Sequence, residues 1–323
     1  MLGLTLLSSS VAAGVNQWTV VGPPANVRTM AVDPHDPNLL YAAGHETVAR
    51  SADRGATWTV TELPGLTLPS RIRVAVSVPS TLYALGSGEL FQSTNGGVSW
   101  TRRTVPATFP RDLQVDATNA NILVVAAVNF CFLSCRGGGV YRSENGGGSW
   151  REIGFEHQDV DDVALDPTSS QVVYATRESK LLRTTNGGRL WRELPLSATG
   201  LEAVAVDAVD PATIYAAAGE GLFRSEDSGQ SWALIRPSEF GANIADPLYR
   251  SPQLFVTGGG AALSVDQGHT FRNISTTDSG LDIRSSHQLV VSRDTCYMVV
   301  DLGNAQGQII AYEVRLPRRR AAH

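Results

Sequence analysis

The sequence contains few of the residues that most redox, metal and nucleophilic sites use. Its 323 residues include three cysteines, three methionines and six histidines, and Lys180 is the single lysine. The formal net charge of −5 is mild, so neither nucleic acid nor an anionic membrane surface is an expected partner. No stretch inside the repeats described below is long and apolar enough to cross a bilayer, and we expect no membrane insertion.

Short catalytic signatures are missing as well. The sequence contains no Gly-x-Ser-x-Gly nucleophile turn, no Walker loop and no His-Glu-x-x-His zinc motif. The Gly-Gly-Gly runs at 137–139 and 258–260 stand at predicted strand turns rather than before helices, which argues against phosphate binding. We therefore expect no cofactor and no bound metal.

An octapeptide that occurs six times is the most informative feature that is present. Its pattern is Ser/Thr-x-Asp/Asn-x-Gly-x-Ser/Thr-Trp/Phe, and Leu190 is the one departure from it. Successive copies begin 42, 50, 41, 41 and 39 residues apart, and a near-constant period of this size is typical of repeat architectures. The copies are SADRGATW (51–58), STNGGVSW (93–100), SENGGGSW (143–150), TTNGGRLW (184–191), SEDSGQSW (225–232) and SVDQGHTF (264–271).

Each octapeptide has the residues of a β-hairpin turn that is stabilised by its own side-chain hydrogen bonds. Its Asp or Asn can accept hydrogen bonds from backbone N–H groups just ahead, its glycine supplies a positive φ, and its aromatic residue starts the next strand. Because Asp and Asn alternate at one position, no charge is required there, and we predict a structural role rather than a catalytic one. The residues at this position are Asp53, Asn95, Asn145, Asn186, Asp227 and Asp266.

A second phrase precedes most octapeptides. In MAVDPHDPNLLYAAG (30–44) it reads as an apolar strand, an Asp-Pro turn and a second strand with tyrosine and small residues. A short third strand then leads into the octapeptide, and the aromatic residue of the octapeptide begins a fourth strand. Four strands in about forty residues are the size and content of one β-propeller blade.

The number of octapeptides and the two ends of the chain predict how the propeller closes. Residues 17–21 look like the strand that follows an octapeptide, whereas 287–292, 296–302 and 308–314 supply three strands that lack a fourth. Pairing the N-terminal strand with these three removes an open sheet edge. We therefore predict an all-β fold, a seven-bladed β-propeller of four-stranded antiparallel blades, with six or eight blades as the alternatives.

The octapeptides resemble the Asp-box, or bacterial neuraminidase repeat, of sialidases, sortilins, xyloglucanases and photosystem II assembly factors. The resemblance covers nearly the whole chain, but the families that share the motif have unrelated functions. In the texture of its repeats the chain is most similar to the photosystem II assembly factor and sortilin-type propellers. Both are non-catalytic, so this resemblance implies a scaffold or recognition role.

The two ends of the chain lie outside the predicted propeller. Residues 1–13 form a short apolar run followed by small residues, which suits a signal peptide, although the charged residues that usually open one are missing and the leader would then be truncated. We assign 14–315 to a single propeller and 316–323, with its three consecutive arginines, to a disordered basic tail. The protein is accordingly expected to be exported to a bacterial periplasm or secreted.

The three cysteines fit an exported protein. Cys131 and Cys135 share the segment that lengthens one repeat spacing to 50 residues, and a separation of four residues in a loop can close a small disulfide ring. We predict a Cys131–Cys135 disulfide. Cys296 lies in a predicted buried strand and is expected to be a core residue.

Ligands of propellers usually contact one face around the central channel, where each innermost strand begins. Aligning the repeats on their Ala-Val-Asp phrase gives two rows of residues at that level. The first row is Arg28, Ile72, Arg111, Asp161, Glu202 and His287, and the second is Thr29, Arg73, Asp112, Asp162, Ala203 and Gln288. We take Arg28, Arg73, Arg111, Asp161, Glu202 and His287 as candidate binding residues. The same residues would equally form a wet channel whose charges neutralise one another.

The alternative to a binding role is a glycoside hydrolase. A glycoside hydrolase needs two carboxylates across a cleft, and Asp161 or Asp162 with Glu202 is the one pair that qualifies. Arginines 28, 73 and 111 match a sialidase triad in number, but the Arg-Ile-Pro phrase of sialidases and an inner-row tyrosine are absent. We therefore favour a non-catalytic, monomeric binding or scaffold protein that recognises a protein or glycan partner through one face of the ring.

Overall fold

The computed structural model describes an all-β chain. No helix within the described part of the chain is long and apolar enough to span a membrane. The described residues are 4–6, 18–23, 27–129, 137–237, 243–244, 254–257, 261–264, 266–273, 286–292, 295–302 and 305–313.

The strands follow one another along the chain with short connections. The first fourteen are β1 (Leu4–Leu6), β2 (Trp18–Val20), β3 (Val27–Val32), β4 (Leu40–Gly44), β5 (Thr47–Ser51), β6 (Trp58–Glu62), β7 (Arg71–Val74), β8 (Leu82–Leu85), β9 (Glu89–Ser93), β10 (Thr101–Thr104), β11 (Phe109–Val115), β12 (Leu123–Val128), β13 (Gly139–Ser143) and β14 (Arg151–Gly154). The others are β15 (Asp162–Asp166), β16 (Ser169–Arg177), β17 (Lys180–Thr184), β18 (Trp191–Glu193), β19 (Ala203–Val206), β20 (Ile214–Ala218), β21 (Gly221–Ser225), β22 (Ala233–Pro237), β23 (Asn243–Ile244), β24 (Leu254–Thr257), β25 (Ala261–Ser264), β26 (Arg272–Asn273), β27 (Ser286–Ser292), β28 (Thr295–Leu302) and β29 (Ala305–Glu313).

The prediction of seven four-stranded blades is wrong, because the described residues form six such blades. Their strand orders are β10-β9-β8-β7, β11-β12-β13-β14, β15-β16-β17-β18, β19-β20-β21-β22, β23-β24-β25-β26 and β2-β29-β28-β27. The first sheet instead has five strands in the order β1-β6-β5-β4-β3. Its extra strand is part of the expected leader: β1 pairs with the outer edge of β6, with Leu6 opposite Trp58.

The N-terminal strand and the last three strands form one four-stranded blade. Strand β2 pairs antiparallel with β29, with Trp18 opposite Tyr312 and Val20 opposite Ile310. The N–H of Val21 continues this pairing with a 2.9 Å hydrogen bond to the carbonyl oxygen of Ile309. The two ends of the chain therefore meet in one sheet.

The sheets are arranged as a closed ring. Strand β3 contacts β7 on one side and β27 on the other, and contacts continue from β7 through β11, β15 and β19 to β23. The last link is a contact of β24, which pairs with β23, with β27. Apolar clusters fill the spaces between neighbouring sheets, and one of them joins Met30 and Trp58 of the first sheet to Tyr297 and Ile309 of the closing sheet. The core is thus a series of inter-sheet layers, as in a β-propeller.

Two kinds of turn close the repeats at one end of the sheets. Between the first two strands, an aspartate carboxylate accepts the backbone N–H two residues ahead, which explains the recurring Ala-Val-Asp phrase. The pairs are Asp33 with His35, Asp116 with Thr118, Asp166 with Thr168 and Asp207 with Val209. The octapeptide turns join the third and fourth strands at the same end of each sheet.

The octapeptide glycines pack closely against the preceding sheet. A methyl group on Gly188 would collide with Ile153, and one on Gly55 would collide with the carbonyl oxygen of Val21. Both glycines also have positive φ, near +90°. Glycine is therefore required here both for the backbone conformation and for the close approach of two sheets.

Candidate functional site

The candidate face lies where the innermost strands begin, opposite the octapeptide turns. Arg28 and Arg111 are exposed near the starts of β3 and β11, and Asp161 and Glu202 are exposed immediately before β15 and β19. His287 occupies the corresponding backbone position in β27. Ladder irregularities at Arg28, Arg111 and His287 displace these residues from regular pairing.

The second blade aligns differently from the sequence prediction. The N–H of Asp33 bonds to Leu39, and the equivalent bond in the second blade is made by Ala75 to Thr81. Ala75 therefore takes the place of the turn aspartate, and the alignment on Val-Ala-Val was displaced by two residues. Ser70 and Arg71 stand at the levels of Arg28 and Thr29, whereas Ile72 and Arg73 are buried.

Asp112 is the centre of a buried ion-pair cluster beneath this face. Its Oδ1 accepts from Arg71 Nε at 2.6 Å and from Arg73 Nη2 at 3.4 Å, while Gln114 donates to its Oδ2 at 2.9 Å. Burial by itself raises the pKa of Asp112, but the two guanidinium groups and Gln114 outweigh it and hold the pKa below its ordinary value. Asp112 is therefore ionised and fully engaged.

Asp162 lies next to Asp112, and its pKa is shifted in the opposite direction. Burial, the negative charge of Asp112 and a hydrogen bond with the Asp112 carboxylate raise the pKa of Asp162 well above its ordinary value. Its Oδ2 accepts from the backbone N–H of Val204 at 2.9 Å, which offsets only part of this. The two carboxyl groups are therefore coupled, with the pKa of Asp162 raised and that of Asp112 lowered.

The exposed carboxylates of the enzymatic alternative lie on adjacent blades. The backbone N–H of Asp161 bonds to Thr176, whose Oγ1 donates to the carbonyl oxygen of Glu202. Partial burial raises the pKa of Asp161, the positive charge of Arg111 on the neighbouring third blade lowers it, and the negative charge of Asp159 raises it further. The net effect is a pKa above the ordinary value.

The octapeptide residues form turns at the far end of the sheets. Asp53 Oδ1 accepts from Ser51 Oγ and from the N–H of Thr57, both at 2.8 Å, and Asp53 Oδ2 accepts from Thr57 Oγ1 at 2.6 Å. Asn95 and Asn145 make the same set of contacts, with the amide nitrogen donating to a serine hydroxyl. Asn186, Asp227 and Asp266 likewise accept from the N–H four residues ahead.

The remaining sequence-predicted positions give a mixed outcome. Cys131 and Cys135 lie outside the described residues, and so does the predicted basic tail. Cys296 is buried as a free thiol, and burial raises its pKa well above the ordinary value. Among the described residues, no group of three or more His, Cys, Asp or Glu side chains is placed to hold a metal ion.

Sequence reasoning missed the role of Arg71. Its guanidinium is partly exposed, with 31% of the side chain accessible, while its Nε contacts a carboxylate that is 1% accessible. Arg71 therefore links the channel surface to the buried cluster. The hydrogen-bonding of the second blade's first turn, rather than its residue pattern, is the signal that identifies it.

Comparisons with known proteins show the fold. No protein-family model matches the chain, and no curated protein matches its sequence. In fold it is similar to YCF48 from Cyanidioschyzon merolae, with TM-score 0.66, 17% identity and coverage of 94% of this chain and 99% of that one. YCF48 bound to D1 peptide gives the same TM-score and identity, with coverage of 95% and 97%.

Two enzymes have the same fold. A virginiamycin B lyase from Staphylococcus aureus has TM-score 0.69 at 13% identity, with coverage of 93% of this chain and 99% of that one. An ancestral GH74 enzyme has TM-score 0.64 at 16% identity, with coverage of 92% of this chain and 49% of that one. Because proteins of this one architecture include both a peptide-bound protein and enzymes, the likeness shows the fold alone. The chain is an all-β β-propeller.

Proposed function

We propose that the protein is an exported, non-catalytic binding propeller that recognises a protein or glycan partner through the face on which the innermost strands begin. The observation that carries this proposal is the division of charges on that face. Exposed Arg28, Arg111, Asp161 and Glu202 surround the channel, while the carboxylates beneath them are occupied by internal partners. A rigid face with exposed charges of both signs suits recognition of a polar partner.

The internal contacts argue against a glycosidase. A general acid must deliver its proton to the substrate, but the carboxyl group of Asp162 is hydrogen-bonded to Asp112, and its Oδ2 accepts from the backbone N–H of Val204. Asp112 is itself bound by Arg71, Arg73 and Gln114. Asp161 and Glu202 remain as an exposed pair, and they are the residues that the enzymatic alternative would have to use.

A peptide partner agrees with one structural neighbour. The solved YCF48 complex contains a D1 peptide, so the same architecture can present a peptide-binding surface. The repeat texture, which resembles non-catalytic propellers, supports the same class of function.

Charge reversal on the two faces tests the proposal. The full chain is used to capture partners from the envelope fraction of the source organism, alongside the double variant Arg28→Glu/Arg111→Glu. Arg189→Glu is the matched control, because Arg189 is an exposed arginine on an octapeptide turn of the opposite face. A partner that binds wild type and the control but is lost with the double variant supports the proposal, and undiminished capture by the double variant overturns it.

Two further measurements separate the kinds of partner and the enzymatic alternative. Treating the captured material with protease or with glycosidases shows whether a protein or a glycan is recognised. Wild type and the variants Asp161→Asn, Asp162→Asn and Glu202→Gln are then assayed against a panel of glycosides. We expect no cleavage by any of them; cleavage by wild type that these substitutions abolish would replace the binding proposal with a hydrolase.

A further inference from the structure

Three octapeptide turns contain an Asn-Gly pair, which is the most reactive sequence for loss of the asparagine amide. The pairs begin at Asn95, Asn145 and Asn186. In this reaction the glycine backbone nitrogen attacks the asparagine Cγ, the bond from Cγ to the amide nitrogen breaks, and ammonia leaves as a succinimide forms. Water then opens the ring to aspartate or isoaspartate. Glycine allows the attack because no side chain shields its nitrogen.

The fold restrains the reacting atoms in all three turns. Each glycine N–H donates to a main-chain carbonyl across the sheet end: Gly96 to Ser80 at 2.8 Å, Gly146 to Asn121 at 2.9 Å and Gly187 to Gln171 at 2.9 Å. Each asparagine Oδ1 also accepts from the backbone N–H four residues ahead. Attack therefore requires these hydrogen bonds to break first.

One restraint is missing at Asn186. The Nδ2 of Asn95 donates to Ser99 Oγ at 2.9 Å, and that of Asn145 donates to Ser149 Oγ at 2.9 Å. At the corresponding position the fourth turn has Leu190, which has no hydroxyl and is 55% exposed. The amide of Asn186 therefore has one acceptor fewer than its counterparts.

We propose that Asn186 is a site of spontaneous deamidation and that it reacts ahead of Asn95 and Asn145. Its product is also less well held than the natural aspartates of other turns. Asp53 Oδ2 accepts from Thr57 Oγ1, whereas an aspartate at position 186 would have no hydroxyl at position 190 to donate to it. An isoaspartate would further insert a backbone carbon into the turn. Deamidation therefore loosens the fourth blade.

Peptide mass spectrometry tests this on the full folded chain. After incubation at mildly alkaline pH, trypsin cleaves at Arg183 and Arg189 and releases residues 184–189, which contain Asn186. We expect Asn186 to convert about two- to tenfold faster than Asn95 and Asn145, the factor that one neutral hydrogen bond corresponds to. Equal rates at the three sites, or no conversion at any of them, would overturn the proposal.

Matched substitutions assign the difference to the missing hydroxyl. Leu190→Ser should slow conversion of Asn186 and leave Asn95 and Asn145 unchanged, whereas Ser149→Ala should accelerate Asn145 alone. In denaturant the three sites of wild type should react at similar rates. Far-ultraviolet circular dichroism checks folding, and Leu190→Thr replaces Leu190→Ser if the serine variant is unfolded. If the conversion rate of Asn186 is unchanged in a folded variant at position 190, the proposal is contradicted.

Discussion

At the scale of single residues, the octapeptide carboxylates act as multiple acceptors. Asp227 Oδ1 accepts from the N–H of Ser231 at 2.8 Å, and its Oδ2 accepts from Ser231 Oγ at 2.6 Å. These hydrogen bonds lower the pKa of Asp227 to about 2, and the equivalent contacts with Thr270 lower that of Asp266 to about 2. Ionisation of these two residues is thus coupled to the folded turn.

This coupling predicts a defined acid sensitivity. Because the pKa is lower in the folded state, the ionised carboxylates stabilise the fold above the ordinary value of 3.8, and this contribution is lost as pH falls toward about 2. In Asp227→Asn/Asp266→Asn the amides keep the backbone contacts but cannot titrate. Urea midpoints measured across this pH window should fall more steeply for wild type than for the double variant.

A converse substitution provides the control. Asn95→Asp introduces a titrating carboxylate into a turn of the same geometry, so it should steepen the fall. Parallel curves for all three proteins would contradict the assignment of the lowered pKa values to the turns.

At the scale of elements, side-chain hydrogen bonds join the innermost strands of neighbouring sheets, which are not paired with one another through their backbones. Thr29 Oγ1 of β3 accepts from the N–H of Ile72 in β7, at 3.1 Å. Arg71 of β7 donates to Asp112 of β11, whose carboxyl group is hydrogen-bonded to that of Asp162 in β15. Asp162 accepts from the first strand of the next blade, β19. A line of hydrogen bonds therefore crosses the joints between five sheets.

Removing the centre of this line should cost much of the stability. Asp112→Ala leaves two arginines near the channel without their carboxylate and Asp162 without its acceptor, so we expect a loss of about 3 kcal/mol. Glu202→Ala removes an exposed carboxylate on the same face and should stay within about 0.5 kcal/mol of wild type. Urea denaturation of both variants measures the difference; similar losses would show that the line does not hold the strands together.

The local elements were predictable because their signals are local. The octapeptide turns and the aspartate turns are each determined by residues two to four positions apart, so the spacing of these residues predicts both kinds of turn. The role of Arg71 was not predicted, because Ala75 stands in place of the aspartate on which the alignment of the repeats depended. Asp112 and Asp162 are fifty residues apart in sequence, and the packing of two neighbouring sheets through β11 and β15 brings their carboxyl groups together.

At the scale of the whole molecule, the ring depends on a strand from the other end of the chain. Val21 bonds to Ile309, and its carbonyl oxygen accepts from Trp58 Nε1 at 2.8 Å. The N-terminal strand thus connects the closing blade to the first sheet. Its role was predictable from the unpaired strands at the two ends, whereas the fifth strand was not, since Leu-Thr-Leu in β1 reads equally well as part of a leader.

Two deletions compare the N-terminal strands. Deleting residues 17–21 removes the pairing with β29, the buried Val21 and the acceptor of Trp58, so a loss on the order of 5 kcal/mol is expected. Deleting residues 1–13 removes β1 from the outer edge of the first sheet and should change stability little. Thermal and urea unfolding report both, and an unchanged melt after the first deletion would refute the role of β2 in closure.

Four octapeptide glycines contact the preceding sheet closely, so one repeat of the sequence is not one unit of stability. Gly55, Gly147, Gly188 and Gly229 each face a residue of the sheet before their own, respectively Val21, Leu90, Ile153 and Leu194. A single repeat cut from the chain would keep its turn but lose the surface on which that turn rests. The unit of packing is therefore a pair of neighbouring sheets rather than a single repeat. Duplication or loss of whole repeats can enlarge or shrink such a ring, because every new joint restores the same contact.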